Sequence, residues 1–233
     1  MNELDNVRAA VNLAEADAGS DFVVWGHSQG GQSAAFTGEL SAAYAPELNL
    51  LGVAAGGPPS DLVELFKVNI ETQVGKILVA MAIASWAEVY DDASVDQIVE
   101  PSARPIVSRI ARNCLYNQAQ ILSSAPAALA LGLTFLSAPP WEVEPWRTIA
   151  GENRLPGNEI GAPILLVQSD ADTIIAPEVT AAYRDRLCEL GERVEYHELA
   201  GIGHLEVGHE AAPYVFGWVE ARFEGAEPTS TCR

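Results

Sequence analysis

Asp21-Phe22-Val23-Val24-Trp25-Gly26-His27-Ser28-Gln29-Gly30-Gly31 is the segment that most clearly indicates the fold class of this chain. It opens with an unbroken apolar run, which is typical of a strand buried on both faces of a sheet. The run ends at Gly26, the chain turns through residues 27–29, and a helical pattern follows from Gln32 to Leu40. A strand, the motif G-x-S-x-G and a helix in this order predict a nucleophile elbow, a sharp turn that presents a serine above the sheet.

The sharpness of this turn explains the glycines two residues before and two residues after Ser28. We expect a side chain at Gly26 or Gly30 to collide with the neighbouring helix or strand. The backbone N–H of Gln29, at the start of the helix, is predicted to point at a developing oxyanion. A glycine-rich turn with an idle serine has the same local pattern, so the functional interpretation requires an acid and then a histidine further along the chain.

The base is sought among the four histidines of the chain. A serine hydroxyl is a weak nucleophile near neutral pH, and it needs a base that is itself oriented by an acid. His204 follows a glycine-containing loop after the last predicted strand, at the carboxyl edge of the sheet where open α/β folds bind ligands, and it is the predicted base. The alternatives are His27, whose side chain we expect the turn to point elsewhere, His197 within a strand, and His209 at the start of the last helix.

The acid is predicted in the loop that follows the apolar segment Pro163–Gln168. This loop offers Asp170 and Asp172, and it lies between the serine and the histidine in the required order. Asp172 is favoured because it lies deeper in the loop, shortly before Pro177 leads into the next helix. The alternative role for Asp170 is to hold the loop as an Asx-turn residue.

The rest of the chain predicts an α/β fold with a helical insertion. A helical period covers residues 2–18, a buried strand covers 48–55, and a strand, a helix, an edge strand and a final helix cover 163–168, 178–190, 193–199 and 210–223. These segments predict a mostly parallel sheet with helical crossovers. Residues 60–158 instead predict helices, over 61–69, 74–89, 94–99 and 105–123. We therefore expect an α/β core formed by residues 1–59 and 159–233, and a helical cap or lid formed by residues 60–158.

Composition narrows the range of partners. The 233 residues carry 32 acidic and 13 basic side chains, a formal net charge of −19, which argues against binding to nucleic acid or to anionic membrane surfaces and favours neutral substrates. The longest apolar run, Ile77–Ala84, is too short to cross a bilayer. Because Met1-Asn2-Glu3 opens directly on a helical pattern, no signal peptide is expected in this chain.

The three cysteines, Cys114, Cys188 and Cys232, fit one disulfide and one remaining thiol. The chain has no C-x-x-C motif and no clustered Cys and His residues, so a structural zinc site is not expected. Nothing in the sequence predicts a cofactor.

Several segments resemble those of a known family. They are Gly26–Gly31, Tyr44–Leu48 leading to Gly52–Gly56, the loop from Gln168 to Pro177, and Gly203-His204. Together they are similar to the secretory lipases of the lipase-A type, which are α/β-hydrolases with a large helical lid inserted after the strand that follows the nucleophile. The resemblance extends through nearly the whole chain and is looser over residues 60–158.

The resemblance implies a function and a site. It implies Ser28 as nucleophile, Asp172 as acid and His204 as base, in the hydrolysis of carboxylic esters through an acyl-enzyme. It also implies a secreted protein with a disulfide between Cys188 and Cys232. Thioesterase, amidase or perhydrolase chemistry uses the same three residue types. The small and apolar composition of the predicted lid favours an apolar acyl group in the substrate.

The sequence departs from the family pattern before the elbow, where only one helix and one strand precede Ser28. Residues 4–10 resemble the family's helix just before the elbow strand, so the strands that supply a second oxyanion N–H have no counterpart. We expect residues 22–25 to form an exposed apolar sheet edge and Cys114 to have lost a partner. The chain is interpreted as a truncated product, as a minimal hydrolase with another oxyanion donor, or as one half of a homodimer paired through strand 22–25. The alternative to an esterase is a non-catalytic or weakly active fragment that serves as a binding or assembly module.

Overall fold

A computed structural model describes residues 1–113, 115, 118–132 and 135–232. Cys114, for which the sequence predicts a lost partner, lies outside the described residues. The chain divides into two compact units. One unit contains Met1–Asp61 and Leu155–Arg233, and the other contains Leu62–Arg154.

The helices and strands of the described residues alternate in the first unit, whereas helices predominate in the second. In chain order they are α1 (Asn2–Asn12), β1 (Asp21–His27), α2 (Gln29–Tyr44), β2 (Asn49–Gly56), α3 (Leu62–Asn69), α4 (Gln73–Val89), α5 (Arg104–Ala111), α6 (Gln118–Ala130), α7 (Trp146–Glu152), β3 (Ile164–Ser169), α8 (Pro177–Glu189), β4 (Val194–Leu199) and α9 (His204–Phe223). Short 3₁₀ turns cover Ala14–Ala16 and Val95–Gln97.

The sheet of the first unit has the strand order β1-β2-β3-β4, and all its neighbouring strands are parallel. This arrangement confirms the predicted α/β class. β3, which has a neighbour on each side, is buried along its whole length, and β1 is fully buried only at Phe22. β1 therefore forms one edge of the sheet among the described residues, and β4 forms the other.

Helices cover both faces of the sheet because successive strand residues point to opposite sides. On one face, Val53 and Leu166 pack with Ala34 of α2 and Tyr183 of α8. On the other face, the intervening strand residues pack with α9. They are Ala54, Leu165 and Val167 from the strands and Ala211, Val215 and Trp218 from the helix. The result is a three-layer α/β/α core.

The turn from β1 to α2 holds Ser28 at φ 56° and ψ −124°, a conformation that costs a non-glycine residue about 1–3 kcal/mol. A Cβ atom at Gly26 would lie 2.0 Å from the carbonyl oxygen of Gly30, so only glycine fits there. The prediction that Gly30 is similarly restricted is wrong, because a Cβ at Gly30 would meet nothing within 4 Å. The closer approach is at Gly31, whose Cβ would lie 3.1 Å from the oxygen of Gly56.

The C-terminal tail covers the outer edge of β4. The Thr231 N–H donates to the Val194 oxygen at 2.7 Å, and the Tyr196 N–H donates to the Thr231 hydroxyl at 3.2 Å. Cys188, in α8, and Cys232 form a disulfide with Cα atoms 5.5 Å apart, as the family resemblance implies. Hydrogen bonds and the disulfide together keep the tail against the sheet.

The helical unit has a core of its own around α4, which is apolar on most of its surface. Ile77, Ile83 and Trp86 of this helix are buried with Ile110 and Trp146. The indole N–H of Trp146 donates to the Gln97 side chain at 2.8 Å, so the buried ring has a polar partner.

Four predicted helices have different bounds in the structure. The helix predicted over residues 2–18 ends at Asn12, and a 3₁₀ turn follows at Ala14–Ala16. The predicted helix 105–123 is two helices, α5 and α6, and Asn113, a poor helix former, lies between them with its amide 3.4 Å from the Ser124 hydroxyl. The predicted helix 94–99 is only a 3₁₀ turn. The last helix begins at His204 and not near Glu210, because its apolar spacing extends back to Val207.

Reduction of the disulfide is expected to destabilise the protein. The bridge joins residues 44 positions apart, and closing a loop of this length stabilises a fold by about 2–4 kcal/mol. Thermal unfolding of Cys188→Ser should therefore show a midpoint lower than wild type by roughly 4–16 °C. Cys114→Ser, which keeps the bridge, is the control. An unchanged midpoint in Cys188→Ser would contradict the stabilising role.

Gly26→Ala and Gly30→Ala are expected to differ sharply. In Gly26→Ala the new methyl group overlaps backbone atoms that can move only with α2, so a loss of at least about 2 kcal/mol is expected. In Gly30→Ala the methyl group is free of contacts and removes backbone freedom from the unfolded chain, so stability should stay the same or rise by about 0.5–1 kcal/mol. Urea denaturation measures both. Equal stabilities would contradict this account of the turn.

Candidate active site

The structure brings together the serine, histidine and aspartate that the sequence singles out. Nε2 of His204 lies 2.8 Å from Oγ of Ser28, and Nδ1 of His204 lies 2.6 Å from Oδ2 of Asp172. The three side chains come from the β1–α2 turn, the first residue of α9 and the loop after β3. Their backbones meet because the carboxyl ends of parallel strands lie at the same edge of a sheet.

Asp172 is buried, with 4% of its surface exposed, and its carboxylate accepts hydrogen bonds at both oxygens. Oδ1 accepts from the N–H groups of Ile174 and Ile175 at 2.9 and 2.8 Å. Burial by itself raises the pKa of this carboxyl, but the bonds from His204 and from the two amides outweigh it. The net pKa of Asp172 therefore lies below its ordinary value, and the group is ionised at neutral pH.

Asp170, the alternative acid, faces a different partner. Its Oδ1 accepts the N–H of Gly201 at 2.6 Å, which attaches the loop before His204 to the loop after β3. The neighbouring Ser169 hydroxyl donates to the Ile202 oxygen at 2.6 Å. Asp170 thus holds a loop, although it holds the histidine loop and not its own turn.

His27 lies beside the ring of His204 and forms no part of the hydrogen-bonded chain from Ser28 to Asp172. Its ring centroid lies 4.9 Å from that of His204, and its Nε2 is buried without a hydrogen-bond partner among the described residues. Burial lowers the pKa of His27, and the nearby His204 lowers it further, so the ring is neutral. A neutral ring allows close packing against His204 without repulsion between two positive charges.

The two other histidines form no hydrogen bond with the Ser28 hydroxyl among the described contacts. His197, in β4, stacks on Tyr214 with ring centroids 3.9 Å apart. His209 is exposed on α9 and does not begin it, since the helix starts five residues earlier.

Gln29 is the first residue of α2, so its amide lies at the positive end of the helix dipole, next to Ser28. The first amides of a helix have no acceptor within the helix and are open to an anion. This position is compatible with the predicted oxyanion donor, which remains a prediction.

Sequence reasoning missed two residues that the structure places in contact with the site. Gly57 has a φ of +49°, and a Cβ there would lie 3.3–3.4 Å from the His204 ring and from Oδ2 of Asp172. Gln168 is fully buried and donates to the same Oδ2 at 3.2 Å. The position of Gln168, a polar residue at the end of an apolar strand, indicates a role in the site. Gly57 carries no such signal, because glycines in the turn 56–59 are explained by the end of the strand alone.

The described residues form neither a metal site nor a membrane-spanning helix. No group of three or more His, Cys, Asp or Glu side chains is arranged to hold a metal ion. In the same part of the chain, every helix is too short or too polar to cross a membrane.

Comparison with known proteins identifies related sequences and a related fold. The family model of the secretory lipases matches residues 1–231. Lipase 2 of Candida albicans is 26% identical over 98% of this chain and 52% of its own length, and a protein of Mycobacterium tuberculosis named "Probable inactive lipase MT1628" is 24% identical over 95% of this chain and 50% of its own. The chain thus spans about half the length of the curated relatives it matches.

A solved structure extends the likeness to the fold. Candida antarctica lipase A superposes with a TM-score of 0.82 at 18% identity, covering 98% of this chain and 55% of that protein. The likeness at this identity is one of fold, and it agrees with the predicted α/β-hydrolase class. Because the family model covers almost all of the sequence, this chain belongs to the secretory lipase family.

Proposed function

We propose that this protein hydrolyses carboxylic esters with Ser28 as nucleophile, His204 as general base and Asp172 as the acid that orients the histidine. The observation that carries the proposal is the hydrogen-bonded chain from Ser28 Oγ through His204 to the buried Asp172 carboxylate, at 2.8 and 2.6 Å. Each distance lies within the range required for proton transfer or orientation. Membership of the secretory lipase family supports the same reaction class.

The reaction follows from the geometry in two halves. With Nδ1–H of His204 donating to Asp172, Nε2 is free to accept the Ser28 proton as Oγ attacks the ester carbonyl carbon. The protonated His204, stabilised by Asp172, then gives this proton to the departing alcohol, which leaves an acyl group on Ser28. Water, deprotonated by the same histidine, releases the acid and restores the serine.

The tetrahedral intermediates place negative charge on the former carbonyl oxygen. We propose that the Gln29 N–H binds this oxygen, because it is the first amide of α2 and adjoins the nucleophile. The loss of one such donor typically costs 10²–10³-fold in rate. If the Gln29 amide is the single donor, we expect weak activity even though Ser28, His204 and Asp172 are correctly hydrogen-bonded.

The proposed substrates are neutral esters with an apolar acyl chain. The net charge of −19 disfavours anionic substrates. The proposal of an apolar acyl chain is supported by the helical unit, which exposes several large apolar side chains. They include Val68, Val89, Leu122 and Leu129. By analogy with its family, we propose that the protein acts outside the cell.

A second candidate function is non-catalytic binding. Two observations favour it: one relative is named "Probable inactive lipase", and the chain spans about half the length of its relatives. Under this proposal the site residues persist for stability, and the protein serves as a binding or assembly module.

Hydrolysis of short- and long-chain p-nitrophenyl esters separates the two functions. Ser28→Ala and His204→Ala should each lose at least about 10³-fold in kcat/KM, because each removes a member of the proton-transfer chain. Asp172→Asn should lose roughly 10²–10⁴-fold, because the amide cannot hold the Nδ1–H tautomer as the carboxylate does.

The matched controls are Ser108→Ala and His209→Ala, both at exposed positions, and Asp170→Asn, which keeps an acceptor for Gly201. All three should keep most of the wild-type rate. Full activity in Ser28→Ala would overturn the assignment of the nucleophile. A wild-type protein that is folded but without activity would favour the binding module.

We also propose that the free edge of β1 pairs with a second copy of this chain. The tail covers the outer edge of β4, whereas β1 has a strand neighbour on one side only among the described residues. Asn49 N–H donates to Ser20 O and Ser28 N–H donates to Gly56 O, so by alternation Val23 and Trp25 direct their backbone groups outward. An apolar strand edge of this kind favours pairing with another strand.

The dimer is tested by light scattering after gel filtration at several protein concentrations. We expect a species of twice the 24.8 kDa chain mass, which falls towards monomer on dilution. Val23→Pro removes the outward N–H and should weaken the dimer, whereas Val23→Thr keeps it and should not. A monomer at every concentration, or equal effects of the two substitutions, would contradict pairing through this edge.

A further inference from the structure

Gln168 lies next to the site, but its side chain forms no hydrogen bond with Ser28 or with His204. It is the penultimate residue of β3, its side chain is fully buried, and all of its polar atoms are hydrogen-bonded. Nε2 lies 3.1 Å from Ser169 O, 3.2 Å from Ile175 O and 3.2 Å from Asp172 Oδ2. Burying an amide is costly unless it is fully paired, so an apolar side chain would serve packing alone equally well.

The surroundings determine which way the Gln168 amide faces. All three neighbours of Nε2 are acceptors, two carbonyl oxygens and a carboxylate oxygen, so an oxygen in its place would be repelled. Oε1 on the opposite side accepts the Thr180 hydroxyl at 2.6 Å. Thr180 lies in α8 and is also fully buried. The N–H groups of Gln168 are therefore held towards Asp172.

The carboxylate of Asp172 is consequently fixed at both ends. Oδ1 is bound by the amides of Ile174 and Ile175, which belong to its own loop. Oδ2 is shared between Nδ1 of His204 at 2.6 Å and Nε2 of Gln168 at 3.2 Å. Without the second contact, the oxygen that faces the histidine would be held only by the histidine itself.

We infer that Gln168 and Thr180 are positioning residues for Asp172: the Gln168 amide holds Oδ2 towards His204, and the Thr180 hydroxyl holds that amide. This inference rests on the proposed function for the role of Asp172. It assigns a task to two buried polar residues that do not contact the reacting atoms. Hydrogen bonds that orient a functional group in this way typically matter by 10–100-fold when removed, as they do around metal ligands.

Steady-state kinetics on a p-nitrophenyl ester tests the inference with four variants. Gln168→Met keeps the size of the side chain and removes the amide, and it should lower kcat by about 10–100-fold. KM should change little, because both side chains are fully buried and present no surface to a substrate. Thr180→Val should lower kcat by a smaller factor, and Thr180→Ser, which keeps the hydroxyl, should restore it. Near-ultraviolet circular dichroism checks that each variant is folded.

The double variant Gln168→Met/Thr180→Val separates positioning from packing. If Thr180 acts through Gln168, the double variant should be no slower than Gln168→Met alone. Multiplied effects in the double variant, a wild-type kcat in Gln168→Met, or equal losses in Thr180→Val and Thr180→Ser would overturn the inference.

Proton NMR tests the positioning role in a way that does not depend on ester hydrolysis. The His204 proton shared with Asp172 should give a downfield proton NMR resonance in wild type, since the two heavy atoms are 2.6 Å apart. Gln168→Met should shift or broaden it, and Thr180→Ser should leave it in place. If the wild type hydrolyses no ester but the resonance behaves as described, the proposed function fails and the positioning role stands. An unchanged resonance in Gln168→Met overturns the positioning role.

Discussion

The close approach of backbone to backbone at the β1–α2 turn is the constraint on which the rest of the site depends. Gly26 faces the carbonyl of Gly30 with no room for a side chain, and this contact lets α2 start directly behind Ser28. The backbone strain at Ser28 persists because β1 pairs with β2 on one side and α2 packs against both strands. A turn held in this way keeps the hydroxyl in one place relative to the strand ends.

Asp172 and His204 are held in place by hydrogen bonds. Asp172 is charged and buried, which is tolerable only when each oxygen is paired. Two backbone amides, His204 and Gln168 supply these partners, and Asp170 attaches the loop that carries the histidine. The site thus combines a serine held by backbone sterics with an acid held by hydrogen bonds.

Local structure could be predicted from the sequence more reliably than helix boundaries and contacts between distant residues. The strand, turn and helix around Ser28 were predictable because apolar runs, glycine and periodicity act over a few residues. The starts of α6 and α9 were misjudged because short apolar spacings near Asn113 and Pro213 allow more than one helix boundary. Gly30 was misjudged because its freedom depends on what lies beside the helix, which local sequence does not record.

The α/β class, the motif at Ser28 and the order in which an acid and a histidine follow it can all be inferred from the sequence, since they depend on residue types and their spacing along the chain. Which side chains lie within hydrogen-bond reach of Asp172 depends on the folded arrangement of the strands and loops. The ring of His27, the missing Cβ of Gly57 and the amide of Gln168 come to the site through parallel strands that end at one edge. The contacts of His27 with His204 and of Gly57 with Asp172 join residues far apart along the chain, and that of Gln168 with Asp172 depends on how the intervening loop turns back. Periodicity, which reports on neighbours along one element, encodes neither kind of contact.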